Sequence, residues 1–372
     1  MKVSNISTVY LNPLASYVRG QATRQKLWIV EGTNTLPSSA KTANASSLLP
    51  NVIEKNQEVI IRDATSGRLL VAIYRNRIGE EALNFMHETA KTMFQFRRKV
   101  ARESLKNIDQ GALAAAGYLC TRQCGIFTHV RNIKNLDNID ELQEHEAKVV
   151  ANIGLLYNYA MHMFPDELTD DIKQLLEHYD LPRLDGNMYG SKGSQGFTIN
   201  YCNTFIELPF QLGLCEAYAS QNYSKHVHTD NNFLKYAWGC ICARNDNQNS
   251  GHDFEGGNFF LLEYGILIKM DSNTLWCWPE KDEHGTTVLP PDGYQMGWSQ
   301  NLAKKTVTAA TNWKNGQETS KKKQLRLQQL QQVPLIYQVF KKAEKKIANL
   351  LTIVIIIVTA IVNFYLVMAT VI

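Results

Sequence analysis

Between residues 236 and 290 short apolar runs alternate with polar, glycine-marked breaks. Residues 236–243 (Tyr-Ala-Trp-Gly-Cys-Ile-Cys-Ala) predict a strand, and residues 245–257 a polar loop closed by Gly256-Gly257. Residues 258–270 predict two short strands broken around Gly265. Asp271-Ser272-Asn273 is a turn, and Leu275-Trp276-Cys277-Trp278 is a further strand running toward His284. Antiparallel strands at this pitch describe a double-stranded β-helix, or jelly roll, which brings the end of one strand beside the start of another some fifty residues on. Residues 197–201 predict the strand that enters this barrel.

Upstream, residues 58–61 and 68–74 are β-prone runs flanking Asp63-Ala64-Thr65-Ser66-Gly67, a β-hairpin signature. Ala82, Phe85, Met86, Thr89 and Met93 recur near a 3.6 period, so residues 79–102 predict a helix. Its basic end (Arg97, Arg98, Lys99, Arg102) either complements the helix dipole or meets phosphate. Residues 138–163 and 166–179 predict two more helices. Asn138 with Glu141 caps the first, and Pro165-Asp166-Glu167 opens the second. The expected fold class is α+β: a jelly-roll core buttressed by helices, plus a C-terminal transmembrane helix. The expected division is a poorly defined N-terminal region (1–57), hairpin and helices (58–188), the β-helix core (189–307), a basic linker and helix (308–346) and a membrane tail (347–372). Residues 308–323 read as linker and residues 324–340 as a helix interrupted near Pro334. The Gly- and Ser-rich residues 185–195, with Tyr189 and Lys192, form either a lid or a plain connection.

The chemistry concentrates in Lys225-His226-Val227-His228-Thr229-Asp230-Asn231-Asn232. His228 and Asp230, at i and i+2, leave the same face of an extended strand. His284 follows 54 residues after Asp230, at the end of the strand series. Two imidazoles and one carboxylate make a facial triad that binds Fe(II) and leaves three positions open. His228, Asp230 and His284 are therefore the expected metal ligands and catalytic residues. His226, on the same face, is read as structural or as support for the ligands. Asn231 and Asn232 are candidates to orient the imidazoles, and His252 is expected at the surface.

The order His-x-Asp, then Gly-Gly-x-Phe-x-Leu-x-Glu-Tyr-Gly, then a turn, an aromatic strand and His-Gly-Thr resembles the 2-oxoglutarate/Fe(II) dioxygenases. Within them it is most similar to the TET/JBP-like oxygenase domains of fungal-type expansions. The resemblance spans residues 189–307. It implies Fe(II), O2 and 2-oxoglutarate as co-substrate, oxidation of a substrate C–H bond, and a methylated pyrimidine base in DNA as substrate.

One position departs from that pattern. The family usually carries an Arg or Lys on the strand after the distal His, to pair with the far carboxylate of 2-oxoglutarate. Here Gln295 stands 11 residues after His284, with Ser299 in the same parity, and the next basic residues are Lys304 and Lys305. The expected co-substrate residues are Lys304, Gln295 and Ser299. Arg244 or Lys235, from a neighbouring strand, is an alternative source of the charge. So is loss of co-substrate binding, which would leave a non-catalytic jelly-roll scaffold tethered to a membrane.

Composition modifies this picture in three ways. The chain has 372 residues and a formal charge of +4, but residues 321–346 hold eight basic side chains against Glu344, which leaves the remainder at −3. The oxygenase region thus lacks the bulk basic character of a nucleic-acid binder, and only a local groove can supply it. The seven cysteines form no framework, as expected of reduced thiols. Cys240 and Cys242 are either two small buried side chains or half of a zinc site. Residues 347–372 carry no charge and follow Lys341, Lys342, Lys345 and Lys346, the pattern of a single-pass tail anchor with the catalytic domain facing cytoplasm or nucleus.

Overall fold

Side chains alternate across a strand, so a strand covered on both faces needs apolar residues at every position. Residues Leu69–Arg75 (β6) are such a run up to Tyr74, and all seven are buried, with Arg75 at the end bonded to Thr274 Oγ1 and Lys269 O. The computed structural model describes residues 6–96, 111–120, 127–129, 139–179, 197–201, 204–208, 213–245 and 254–314. The N-terminal segment holds β1 (Ser7–Leu11), α1 (Gln21–Gln25), β2 (Trp28–Val30), β3 (Thr42–Asn44), α2 (Ala45–Leu48) and β4 (Asn51–Ile53). Then come β5 (Val59–Asp63), β6 (Leu69–Arg75), α3 (Glu80–Phe96), β7 (Ala112–Cys120), β8 (Phe127–His129), α4 (Ile139–Met163) and α5 (Asp166–Tyr179). β9 (Phe197–Tyr201) and β10 (Thr204–Leu208) precede β11 (Glu216–Gln221), β12 (Lys225–His228) and β13 (Tyr236–Asn245). The series closes with β14 (Phe259–Leu261), β15 (Ile266–Ile268), β16 (Thr274–Pro279), β17 (His284–Thr286), β18 (Tyr294–Gln300) and α6 (Lys304–Lys314).

Two sheets face each other. The larger has the order β1-β5-β6-β16-β13-β18-β11-β7-β8, the smaller β12-β17-β14-β15-β4. Alternation sorts their side chains into layers. Ala237, Ile241, Phe259, Leu261, Trp276 and Trp278 pack between the sheets. Trp238, Cys240, Leu275, Cys277, Met296 and Trp298 point the other way, onto Met86, Met93, Ile153, Tyr157 and Ile172 of α3, α4 and α5. On the far side of the small sheet, Val227, Phe260 and Leu267 meet Ala22, Ile29, Ala45 and Leu49 of the N-terminal segment. The helices thus buttress the large sheet, and the N-terminal segment covers the small one.

The expected hairpin is β5–β6. Asp63 Oδ1 accepts from Ser66 N (2.6 Å), Ser66 Oγ (2.7 Å) and Thr65 N (3.1 Å), and Gly67 takes φ 70° to close the turn. Three expectations change, and one pair of alternatives is resolved. Among the described residues, 197–201 do not pair with the barrel: β9 pairs only with β10, and the strand that enters the large sheet is β11. Residues 304–314, read as barrel edge and linker, form α6, whose Val307 and Ala310 are buried. The N-terminal region supplies β1 and β4 to the two sheets, so barrel pairing extends beyond residues 189–307. Cys240 and Cys242 are buried free thiols in the helix-facing core. Among the described residues no helix is long and apolar enough to cross a membrane. The tail 347–372, the helix at 324–340, the 185–195 segment and His252 lie outside the described residues.

Candidate metal centre

β12 and β17 run antiparallel with His228 directly opposite His284, so the pairing of these two distant strands brings two imidazoles together. Their ring centroids are 4.4 Å apart. Asp230, two residues beyond His228, turns its carboxylate to both rings, with Oδ1 3.8 Å from His228 Nε2 and Oδ2 3.4 Å from His284 Nε2. The three ligand atoms lie within 4.8 Å of one another. Adjacent ligands each ~2.1 Å from one ion would sit about 3 Å apart, so a small inward shift completes a facial set.

The tautomers suit this role. His228 Nδ1 bonds the carbonyl of His226 (2.8 Å), and His284 Nδ1 bonds the carbonyl of Asp282 (2.8 Å), each two residues upstream. With Nδ1–H donated to a carbonyl, each ring offers an Nε2 lone pair to the shared space. Burial, then the neighbouring His284, pushes His228 down to about 3, which keeps that ring neutral. Phe259 stacks on the His284 ring at 5.7 Å, and Trp278 stands 6.0 Å from it, which limits ring rotation.

The loop entering β17 does more than its sequence suggested. Asp230 N donates to Glu280 O at 2.9 Å, so the loop positions the carboxylate ligand as well as His284. The Glu280 side chain is buried, and burial, then Asp230, pushes its carboxyl up to about 9. Asp282, also buried, pairs with Arg68 at 2.9 Å and Arg19 at 3.8 Å. Glu283 accepts from Tyr17 Oη (2.7 Å), Gly20 N (3.1 Å), Thr23 N (2.9 Å) and Thr23 Oγ1, clasping the first turn of α1 from outside. Burial raises the Glu283 carboxyl, but those bonds outweigh it and hold the group below its ordinary value. Sequence reading missed Glu280, Asp282, Glu283 and Arg68. The three carboxylates show only as an acidic cluster just ahead of His284, and Arg68 gives no signal of its own.

The other candidate residues separate. Gln295 is buried on β18 beside Arg244 of β13, and Ser299 shares its strand face. Lys304 lies elsewhere: it is exposed at the start of α6, where its N–H bonds Asn231 O at 3.3 Å. Asn231 and Asn232 do not orient the imidazoles; backbone carbonyls do, because the strand geometry already aims them. Asn232 instead bridges to Ala303. His226 packs its ring edgewise on Trp28 at 5.5 Å and bonds Val227 O through Nδ1.

A jelly-roll barrel with two imidazoles and a carboxylate at its mouth is the scaffold and donor set of the non-haem Fe(II) oxygenases. No family model matches the sequence, and no curated protein does. Solved structures similar to this chain include NgTET1 in complex with 5mC DNA, at 11% identity and TM-score 0.41, covering 75% of this chain and 83% of that one. A prolyl hydroxylase from Trichoplax adhaerens, in complex with a hypoxia inducible factor peptide, is similar at 11% identity and TM-score 0.31, covering 64% and 86%. HygX from Streptomyces hygroscopicus, with nickel and 2-oxoglutarate bound, is similar at 7% identity and TM-score 0.29, covering 63% and 83%. The site's own geometry, rather than these likenesses, carries the functional reading.

Proposed function

We propose that the chain is an Fe(II)- and 2-oxoglutarate-dependent dioxygenase that hydroxylates a C–H bond. The observation that carries this is the convergence of His228, Asp230 and His284 within 4.8 Å. His228, Asp230 and His284 would hold a ferrous ion, which when bound would offer sites for 2-oxoglutarate and O2, whose joint consumption would give succinate, CO2 and one oxygen atom for the substrate. His228 and His284 would bind it through Nε2, the nitrogen left free by the Nδ1 bonds, and Asp230 would offset one metal charge. Phe259, Trp276 and Trp278 wall the inner side with apolar surface and exclude water there.

The proposed substrate is a methylated pyrimidine base in nucleic acid. The motif order supports this, as do exposed lysines beside the ligands: Lys281 in the loop that bonds Asp230, and Lys304 against Asn231. The test is incubation with Fe(II), ascorbate and labelled 2-oxoglutarate. Succinate release that disappears in Asp230→Ala supports the enzyme. Absence of turnover with every substrate offered favours a non-catalytic scaffold, the reading suggested by a neutral Gln295 where a cation is customary. Mass spectrometry of methylated DNA after incubation tests the base. We further propose that residues 347–372 anchor the chain in a membrane with the barrel facing cytoplasm or nucleus. Release of full-length protein by alkaline carbonate would refute that.

A further inference from the structure

The N-terminal segment differs in charge from the barrel it covers. Residues 1–30 hold Lys2, Arg19, Arg24 and Lys26 and neither Asp nor Glu, whereas the chain outside them and the 321–346 run carries −7. Folding lays three of these cations beside the metal ligands. Arg24 lies on α1, Arg19 and Lys26 flank it, and all three are exposed. The segment is tied to the site on two sides. Val227 N, one residue before His228, donates to Leu27 O at 2.8 Å, and Trp28 packs on His226. Arg19 Nη2 reaches Lys281 O at 3.5 Å and Asp282 Oδ1 at 3.8 Å. Lys281 is also exposed, in the loop whose Glu280 carbonyl holds Asp230 and whose Asp282 carbonyl holds His284.

The acids of this corner are withdrawn from solvent. Glu280, Asp282 and Glu283 are buried, and Glu283 turns both oxygens onto Tyr17, Gly20 and Thr23. Glu263, whose charge bears on Arg19, is half-buried. Lys26 caps α1 at φ 51°, a left-handed conformation that is customary for Gly at a helix end and strained for a residue with a side chain. The strained position nevertheless carries a cation. At 1.5 Å per residue the stretch 19–26 spans roughly 10 Å, about three steps of a DNA strand at 3.4 Å each.

We propose that Arg19, Arg24 and Lys26, together with Lys281, grip the phosphate backbone of the DNA strand whose base enters the metal centre. The inference rests on the nucleic-acid reading of the substrate. An enzyme that works on a base draws it out of the stack, and must hold the backbone beside it while it does so. Contacts to phosphate fix position and carry no sequence information, so flexible exposed cations suffice. The three N-terminal cations lie outside residues 189–307 and belong to the cover of the small sheet. An acidic barrel repels a polyanion; the cover reverses that sign locally, next to the ligands.

The test is fluorescence anisotropy of a labelled, methylated DNA duplex with full-length, Mn(II)-loaded protein, without 2-oxoglutarate, over a series of salt concentrations. Each phosphate contact contributes about −0.9 to the slope of log affinity against log salt. The combined variant Arg19→Gln, Arg24→Gln, Lys26→Gln should flatten the wild-type slope by about 2–3 and weaken binding by about 10- to 100-fold near ~0.1 M salt. Each single change should flatten it by about 0.9, which covers the case in which the triple variant does not fold. Lys91→Gln, Lys148→Gln, Lys173→Gln, a charge-matched triple on the helices behind the large sheet, should keep the wild-type slope. An unchanged slope in the N-terminal variants overturns the proposal, as does an equal loss in the charge-matched one. So does a wild type that binds no DNA, or that binds RNA or phosphatidylserine vesicles in its place. Asp230→Ala should bind DNA with a slope close to wild type, so grip and metal centre fail separately. Base oxidation by a protein whose slope ignores the N-terminal cations removes the grip alone. The expected slopes without base oxidation support the grip and refute the base as substrate.

Discussion

Replacing Glu283 by Ala should loosen the N-terminal cover of the small sheet and disturb His284 beside it. Four donors converge on this carboxylate, from Tyr17, Gly20 and both the backbone and hydroxyl of Thr23. A hydrogen bond to a charged group contributes about 1.5–3 kcal/mol. The donors are half-buried, so water replaces part of what is lost, and a total of roughly 3–4 kcal/mol follows for Glu283→Ala. Glu283→Gln keeps one acceptor oxygen and should lose about 1–2 kcal/mol. The pH dependence has a definite sign. The folded carboxyl lies below its unfolded value of 4.5, so its contribution is complete above that value and fades as pH falls through the folded one. The gap between wild type and Glu283→Ala should therefore be widest at neutral pH and shrink in acid. Equilibrium denaturation of metal-free protein, followed by tryptophan fluorescence at a series of pH values, measures it. A gap below about 1 kcal/mol at neutral pH, or one that does not change with acid, refutes the clasp.

Three further outcomes are expected. Glu280 has its folded carboxyl raised from 4.5 to about 9, so wild-type stability falls as pH rises across that window; metal-free Glu280→Gln should gain on wild type by a few kcal/mol toward pH 8, seen in thermal melts. Arg68→Met leaves buried Asp282, among the described residues, with only the distant Arg19 as ionic partner and should lose about 2–4 kcal/mol. Because the Asp282 carbonyl holds His284 Nδ1, metal titration of that variant should show affinity reduced by up to about tenfold. Gly239→Ala would set a Cβ 2.8 Å from the Trp276 ring and 3.1 Å from Trp298 O, and differential scanning calorimetry should register a loss of about 1–3 kcal/mol.

Much of the barrel was legible because its strands announce themselves locally. The run 236–243, the break at Gly265 and the aromatic strand before His284 correspond to β13, the β14–β15 turn and β16. Residues 197–201 were misassigned because a short β-prone run carries no information about its partner. Strand pairing is decided by surfaces elsewhere in the chain. α6 was missed because its helical stripe is short and polar, and only burial of Val307 and Ala310 gives it a reason to form.

The sequence alone determined which side chains can bind a metal, since residue type and the i, i+2 spacing of His228 and Asp230 are local properties. It also determined the helices and strands whose periodicity is strong. Only the tertiary structure decided what surrounds those ligands. Two strands far apart in sequence had to pair before His284 met His228 and before Gln295 met Arg244. The N-terminal segment had to dock before Glu283 found its donors. Contacts of this kind depend on register and layer packing, which arise from the summed burial of the whole chain and leave no trace in any one stretch of it.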